Sequence, residues 1–310
     1  MRTRSAPLKR LGVYGLAVTA SIALAACSSA KSSNPLKQPT SKGSVVVGSA
    51  NFPEAELLAQ IYSLALQAKG VKVTEKFNIG AREVYYPEVE SGAITIMPEY
   101  NGALLSTSVD KNSTAATTSE VDAALKAKLP ASLEILNPSA AQDKDSVTVT
   151  QAFAAKNHLT SIADLKSIAG TMVIGGPPEF KTRTDGLVGL KKNYGLVFKS
   201  FSPLDESGPI TFKALTEGKV QAADVFTTSP QIITDHLVAL ADPKFNFAAQ
   251  NVVPLVYKKG VNSTIVSTLN AISAKLTTAS LLAMDKELSI NHESYQAVAT
   301  AWLKQEGLPN

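Results

Sequence analysis

The 310-residue sequence has only one cysteine and three histidines, and both shortages restrict what the protein can be. A single cysteine, Cys27, excludes a framework of intramolecular disulfides. The histidines, His158, His236 and His292, are isolated and match no zinc or iron spacing. We interpret them as surface or helix-end residues and expect no metal site.

Catalytic and phosphate-binding motifs are missing as well. The sequence contains no Gly-x-Ser-x-Gly elbow and no phosphate-binding loop. Gly175 and Gly176 follow a predicted strand, but Pro177 and Pro178 come next and lack the amide hydrogens that a phosphate cradle needs. The sequence therefore predicts neither an enzyme nor a cofactor.

An excess of one charge is missing from most of the chain. The formal net charge is +4, but the first 26 residues contain four basic residues and no acidic one. Without that segment the chain is close to neutral, which argues against binding to nucleic acid, since that depends on neutralising phosphates. Hydrophobic residues make up 45% and charged residues 18%, as in globular proteins.

Only one long uncharged apolar run occurs, from Leu11 to Ala26. It follows a basic head and is shorter than the roughly 20 residues of a membrane span, which is typical of a secretory signal peptide. The ending Leu24-Ala25-Ala26-Cys27 resembles the lipobox of bacterial lipoproteins, in which the peptide is cut before a cysteine that carries a diacylglycerol. The resemblance implies a signal peptide over residues 1–26 and a lipid on Cys27. The alternative is an ordinary cut near Ala25.

Residues 27–43 form a polar stretch rich in serine, lysine and proline. Such a composition predicts a flexible tether between a lipid anchor and a folded body. We therefore expect an extracytoplasmic protein that is lipid-anchored to the cell membrane.

Short apolar runs alternate with helical patterns along the body. Residues 44–49 read as a buried strand, and Glu54 to Lys69 has apolar residues at helical spacing. The alternation repeats after residue 147, with Ser161 as a predicted helix cap, and residues 262–305 are predicted to be helical throughout. The pattern predicts an α/β fold with largely parallel sheets. Its order suggests two lobes, 44–146 plus 252–310 and 147–251.

Six segments that mix polar and aromatic residues follow predicted strands. In α/β sheets ligands bind beyond the carboxyl ends of the strands. Arginine suits a carboxylate because it donates two parallel hydrogen bonds, and aromatic faces attract onium cations. Any one segment could be a turn, but their occurrence in both halves favours a cleft formed by residues 49–52, 80–86, 98–102, 178–183, 226–229 and 246–251.

These segments resemble the solute-binding proteins of betaine, choline and carnitine ABC importers, an osmoprotectant group with the type II periplasmic-binding fold. The resemblance covers nearly all of residues 44–308. Its most specific parts are Arg82 to Tyr85, Pro98 to Gly102, and Glu179 to Gly186. It implies two α/β lobes with a ligand cleft between them.

The family holds a quaternary ammonium in a box of tyrosines. By this resemblance Tyr100 stands at one box position and Phe226 at a second, where the ring is kept without its hydroxyl. The other two positions fall near Asp145 and on Gln250, which lack a ring. About half of the box is therefore absent, and Asp145 could partly compensate for a cationic ligand.

The family also binds the solute's carboxylate through an arginine and a lysine. Arg183 matches the arginine, with Glu179 one helical turn before it, whereas Ala50 replaces the lysine. We expect Tyr100, Phe226 and Arg183 to line one cleft, with Arg183 at the start of a helix. The complete set of predicted ligand-binding residues is Asn51, Phe52, Arg82, Tyr100, Asn101, Asp145, Glu179, Arg183, Phe226, Thr227, Gln250 and Asn251.

The predicted function is capture of a small solute, a betaine-like quaternary ammonium osmolyte, and its delivery to the permease of an ABC importer. The alternative is the same fold binding another small polar or aromatic solute, with Tyr100 and Phe226 as stacking walls and Asn101, Gln250 and Asn251 as hydrogen-bonding groups. An enzyme is the least supported hypothesis. We expect a monomer.

Overall fold

The structure is a computed structural model that describes residues 44–310. The signal peptide predicted over residues 1–26, the lipid attachment at Cys27 and the tether over residues 27–43 lie outside the described residues, and they stay predictions.

The first of two five-stranded sheets contains the N-terminal strand. Its strands are β1 (Ser44–Gly48), β2 (Lys72–Lys76), β3 (Ile96–Tyr100), β4 (Leu133–Ile135) and β10 (Val252–Tyr257). In space their order is β2-β1-β3-β10-β4. β1 runs parallel to β2 and β3, whereas β10 is antiparallel to both β3 and β4.

The second sheet repeats this plan. Its strands are β5 (Asp145–Thr150), β6 (Val173–Gly176), β7 (Ser200–Pro203), β8 (Ala222–Phe226) and β9 (Leu237–Ala239), in the order β7-β6-β8-β5-β9. β6 is parallel to β7 and β8, and β5 is antiparallel to β8 and β9. In each sheet the antiparallel strand is the one that the chain enters after crossing from the other sheet.

Eleven α-helices flank the sheets within the described residues. They are α1 (Pro53–Ala68), α2 (Arg82–Glu90), α3 (Asn101–Leu104), α4 (Thr118–Lys128), α5 (Gln151–Asn157), α6 (Leu187–Tyr194), α7 (Pro209–Thr216), α8 (Gln231–Thr234), α9 (Ser263–Lys275), α10 (Thr278–Ser289) and α11 (Tyr295–Gln305). The predicted two-lobed α/β fold is confirmed. We call the elements around the first sheet the first lobe and those around the second sheet the second lobe. The exact bounds, 44–146 plus 252–310 and 147–251, stay a prediction, and β5 begins just before residue 147.

Helix α1 shows how the sequence builds the first lobe. Pro53 starts it, because the fixed φ and missing amide hydrogen of proline suit the first helical position. Leu57, Leu58 and Ile61 are fully buried against the sheet and α11. Each such side chain contributes roughly 1.5–3 kcal/mol. This burial fixes the start of α1, where the loop before it reaches the space between the lobes.

Some local predictions need correction. The apolar run over residues 93–97 predicts a strand, but β3 runs from Ile96 to Tyr100, because Pro98, Glu99 and Tyr100 pair with β10. Part of the segment 98–102 therefore lies inside a strand. Residues 262–305 form three separate helices, since new caps begin α10 and α11. The predicted cap Ser161 is confirmed, but it opens a short 3-10 helix over Ile162–Ser167.

Within residues 44–310 no single helix is long and apolar enough to cross a membrane. Helices α9 and α10 meet the length and composition requirement only as a pair, and they bend by 91° at the break between them.

Candidate functional site

A small cavity lies between the lobes, where β3 and β8 end. Its volume is about 20 Å³, which is space for roughly one water molecule. A solute can therefore enter only if the lining side chains separate. The lining includes seven of the twelve predicted ligand-binding residues, and the full set is Phe52, Arg82, Tyr100, Ala103, Asp143, Asp145, Arg183, Glu206, Phe226 and Gln250.

Three aromatic rings meet in this cavity. The ring centroid of Phe52 lies 5.8 Å from that of Tyr100 and 4.9 Å from that of Phe226, and both pairs are tilted. Such separations are favourable for ring pairs. Tyr100 ends β3 in the first lobe and Phe226 ends β8 in the second, so Phe52 bridges the lobes. We call these three residues the aromatic cluster. From the sequence we expect Phe52 at the edge of the cleft, but in the structure its ring lies between those of Tyr100 and Phe226.

The hydroxyl of Tyr100 is held by a buried carboxyl group of the first lobe. It donates to Glu54 Oε1 at 2.5 Å, and Thr228 Oγ1 donates to Glu54 Oε2 at 2.7 Å. Burial raises the pKa of Glu54 well above its ordinary value, and its neighbour Asp285 adds to this. Burial also raises the pKa of Asp285, to about 7. The Glu54 carboxyl group, held by Thr228, therefore fixes the orientation of the Tyr100 ring.

Carboxylates form another part of the wall. Asp143 Oδ1 accepts from the Thr228 amide at 3.1 Å, and Asp145 Oδ2 accepts from Gln250 Nε2 at 2.8 Å. Glu206 Oε2 is buried and has no hydrogen-bond partner among the described residues. Burial raises the pKa of Glu206 to about 7, although Arg183 opposes the rise. In residues 44–310 no group of acidic, histidine or cysteine side chains is arranged to hold a metal ion.

Arg82 is neutralised within the first lobe. It opens α2, is 6% exposed, and donates through Nε and Nη2 to Glu99 at 3.1 and 3.0 Å. Tyr85 Oη donates to the same carboxylate at 2.7 Å. Glu99 is fully buried on β3, so the pair is a fixed part of the cavity wall.

Arg183 joins the two lobes. Its Nε and Nη2 donate to the two oxygens of Glu83, each at 3.0 Å. Burial opposes ionisation of Glu83, but these hydrogen bonds outweigh it and lower its pKa to about 2. The prediction that Arg183 lies at the start of a helix is wrong. Arg183 follows the short 3-10 helix Pro178–Lys181, and its backbone amide donates to the Glu179 carbonyl.

Further hydrogen bonds between the lobes lie beside this ion pair. Thr184 Oγ1 donates to the Ser106 carbonyl at 2.8 Å, and Ser106 Oγ donates to Asp185 Oδ2 at 2.7 Å. Together with the aromatic cluster, these contacts hold the lobes closed over the cavity.

Five predicted residues do not line the cavity. Asn101 and Asn251 bind each other through the Asn251 amide and Asn101 Oδ1, at 2.7 Å. Their side-chain nitrogens donate within the first lobe, to Asp122 and to the Ser139 carbonyl. The remaining three lie elsewhere: Asn51 is exposed before α1, Glu179 approaches Arg183 at 3.9 Å, and Thr227 accepts from the Lys144 amide.

Asp143 and Glu206 line the cavity although the sequence analysis missed them. Glu206 lies in the loop between β7 and α7, and therefore beyond a strand end. The rule that selected the other six segments would have found this loop if β7 had been predicted.

Comparison with known proteins supports the family resemblance that the sequence analysis described. Residues 43–305 match the family described as the substrate-binding domain of ABC-type glycine betaine transport systems. The glycine betaine-binding protein YehZ of Escherichia coli is 28% identical over 276 residues, which is 85% of this chain and 90% of that protein. The ergothioneine transport permease/binding protein EgtU of Helicobacter pylori is 23% identical over 270 residues, and the match covers 85% of this chain but only 48% of that protein.

Solved structures agree on the fold. A glycine betaine/carnitine/choline ABC transporter structure has a TM-score of 0.66 at 20% identity and covers 85% of this chain and 98% of its own. Apo YehZ from Escherichia coli has a TM-score of 0.59 at 26% identity, covering 85% and 99%. Lactococcal OpuAC with glycine betaine, in a closed conformation, has a TM-score of 0.61 at 17% identity, covering 85% and 96%.

The family match and the match to YehZ each span most of the chain, and they indicate the same family. Its members are transport proteins that bind small solutes outside the cytoplasm and work with the permeases of ABC importers. The chain therefore belongs to the family of substrate-binding domains of ABC-type glycine betaine transport systems.

Proposed function

We propose that this protein is a lipid-anchored receptor that captures a betaine-like quaternary ammonium osmolyte and delivers it to an ABC importer. The observation that carries the proposal is the aromatic cluster, in which Phe52, Tyr100 and Phe226 converge from both lobes. The faces of aromatic rings attract onium cations, by about 0.5–2 kcal/mol per ring depending on desolvation. Phe52 supplies a third ring beside the two that the family pattern assigned to Tyr100 and Phe226.

The charges of the wall also favour a cation. Arg82 is engaged by Glu99 and Arg183 by Glu83, so each arginine has its own carboxylate. Asp143, Asp145 and Glu206 line the same cavity without an ion pair to either arginine. A quaternary ammonium placed here would meet carboxylates on one side and ring faces on the other.

Capture requires the lobes to part and close again. The cavity of about 20 Å³ cannot hold a trimethylammonium group, so the rings must separate to admit one. We expect the lobes to close around the solute through the crossovers near residues 145 and 250. Small-angle scattering should show a smaller radius of gyration with solute than without it, and an unchanged radius would contradict this mechanism.

The alternative is a neutral aromatic or polar solute stacked between Tyr100 and Phe226. Of the three amides predicted to bind it, only Gln250 lines the cavity, and its side chain already donates to Asp145. Asn101 and Asn251 are occupied within the first lobe. The contacts therefore support the cationic solute better.

A thermal-shift screen followed by calorimetry tests the proposal, because a ligand of the native state raises the melting temperature. Glycine betaine, choline or carnitine should bind, and Phe226→Ala should weaken binding by about 10-fold, from the loss of one ring. Phe245→Ala is the matched control, since Phe245 is exposed in the second lobe and does not line this cavity. Binding of neutral aromatic solutes alone would refute the proposal.

Variants of Arg183 and Tyr100 separate the two solute classes. For a carboxylate-bearing onium solute, Arg183→Ala should cost more than Tyr100→Ala, because a lost charged hydrogen bond costs roughly 1.5–3 kcal/mol. For a neutral aromatic solute the order should reverse. If neither variant changes the affinity measured by calorimetry, the cleft is misplaced.

The lipid anchor on Cys27 and a monomeric state complete the proposal. The anchor is supported by the basic head, the apolar run and the Leu-Ala-Ala-Cys ending. Two acyl chains give stable membrane attachment where one chain is marginal. Mass spectrometry of membrane-extracted protein should find an acylated Cys27 at the N-terminus, and a different mature N-terminus would contradict the anchor.

A further inference from the structure

Glu206 is the cavity residue whose contacts the proposed function leaves unexplained. It stands in the loop between β7 and α7, and its Oε2 is buried beside the cavity without a hydrogen-bond donor among the described residues. Buried polar atoms in folded proteins nearly always have a partner, so an exception requires an explanation.

Hydrogen bonds fix the loop around Glu206 on both sides. Asp205 accepts hydrogen bonds from the amides of Ile210 and Thr211, at 3.0 and 2.8 Å, which fixes the loop to the start of α7. On the other side, the Phe226 amide donates to Ser207 Oγ at 3.0 Å. Ser207 has a φ of 50°, a conformation that is uncommon for residues other than glycine and often found at functional sites.

These contacts hold Glu206 beside the cavity. Ser207 bonds the loop directly to the backbone of Phe226, whose ring belongs to the aromatic cluster, and Glu206 and Phe226 line the same cavity. A carboxylate that only needed hydration could point outward from such a loop, but Glu206 Oε2 is turned inward.

We propose that Glu206 accepts a hydrogen bond from a hydroxyl or N–H group of the solute, and that the site therefore selects quaternary ammonium solutes with such a donor over glycine betaine. This inference rests on the proposed function, since it concerns the far end of the same solute.

The surrounding charges explain why glycine betaine fits less well. Its only polar group besides the ammonium is a carboxylate, which has no proton to donate to Glu206. The neighbouring acid Asp145, which lines the same cavity, would repel that carboxylate, and the Nε and Nη2 donors of Arg183 already bind Glu83. A site that is built to bind a donor rejects analogues without it, by up to about 10⁴–10⁵-fold.

Calorimetry with three solutes tests the inference. Choline carries a hydroxyl, n-propyltrimethylammonium is its isostere with a methyl in place of that hydroxyl, and glycine betaine carries a carboxylate. We expect the native protein to bind choline at least about 10-fold more tightly than either of the others, because only choline can donate to Glu206.

Two variants assign the preference to Glu206. Glu206→Leu should bring the ratio of choline to n-propyltrimethylammonium affinities close to one, because the acceptor is gone. Glu206→Gln retains an oxygen acceptor and should retain part of the preference. Glu217→Gln is the control, since Glu217 is a solvent-exposed acid at the end of α7 that pairs with lysines, and it should leave the ratio unchanged.

The possible failures are distinguishable. If glycine betaine binds the native protein most tightly, or if both Glu206 variants keep the full preference for choline, the inference is wrong while the proposed function stands. If no quaternary ammonium solute binds the native protein, the proposed function is wrong and the inference falls with it. Circular dichroism spectra establish that each variant is folded before its affinity is compared.

Discussion

Lowering the pH from 8 to 6 should raise the free energy of unfolding of this protein. Burial raises the pKa of Glu206 and of Asp285 to about 7 in the folded state. In the unfolded chain such carboxyls titrate near pH 4. Between pH 8 and 6 the folded protein therefore takes up protons that the unfolded chain does not, so stability increases as the pH falls, and it is lost again as the pH rises through 7.

The magnitude follows from this linkage. One carboxyl with a folded pKa of about 7 contributes about 1 kcal/mol to the difference in stability between pH 8 and pH 6. Asp285 is hydrogen-bonded to Glu54, so these two carboxyl groups titrate as a pair. The change in stability that can be assigned to one residue is therefore the contribution of Glu206. The pKa values of Asp143 and Asp224 are also raised by burial and act in the same direction.

Urea unfolding at pH 8, 7 and 6 measures the effect. Glu206→Gln should reduce the difference between pH 6 and pH 8 by about 1 kcal/mol, because the glutamine does not titrate. Glu217→Gln should keep the native difference. The reasoning is refuted if stability decreases from pH 8 to pH 6, or if Glu206→Gln shows the same pH dependence as the native protein.

Three further predictions concern closure, packing and anchoring. Arg183→Lys should weaken solute binding several-fold, because lysine cannot form the two parallel bonds to Glu83; an unchanged affinity by calorimetry would contradict this. Gly102→Ala should lower stability by about 1–3 kcal/mol in urea unfolding, since a Cβ there would lie 2.2 Å from the Ala249 carbonyl oxygen, whereas Gly170→Ala, with open space around it, should not. Cys27→Ser should abolish incorporation of a labelled fatty acid into the protein, and a label that persists in this variant would exclude Cys27 as the site of lipid attachment.

The sequence predicted the fold well wherever a single period decided the structure. The sequence pattern predicts a strand over residues 252–257 and a helix over residues 187–194, and both elements have these bounds in the structure. The predicted strand ended before Pro98 because proline is unusual inside a sheet. In the structure Pro98 lies opposite Pro254 of β10. Pairing between distant strands is a tertiary effect that local periodicity does not record.

The site was only partly predictable for the same reason. The family pattern led to Tyr100 and Phe226, which line the cavity. It also led to Asn101 and Asn251, which lie 150 residues apart in the sequence, but the Asn251 backbone amide donates to Asn101 Oδ1 and both side-chain nitrogens donate to other groups of the first lobe. Which way a polar side chain points depends on such partners. Glu206 was missed because strand β7, which precedes its loop, was not predicted from the sequence.

The Arg183–Glu83 ion pair makes closure sensitive to ionic strength. Its oxygens and nitrogens are 3.0 Å apart, but the Glu83 side chain is 48% exposed while that of Arg183 is 11% exposed. Added salt reduces the screening length from about 10 Å at 0.1 M to about 3 Å at 1 M, so a half-exposed pair weakens as salinity rises. The contacts among the aromatic rings do not weaken in this way. As the medium outside the cell becomes more saline, closure therefore depends less on the ion pair and more on the bound solute and the rings.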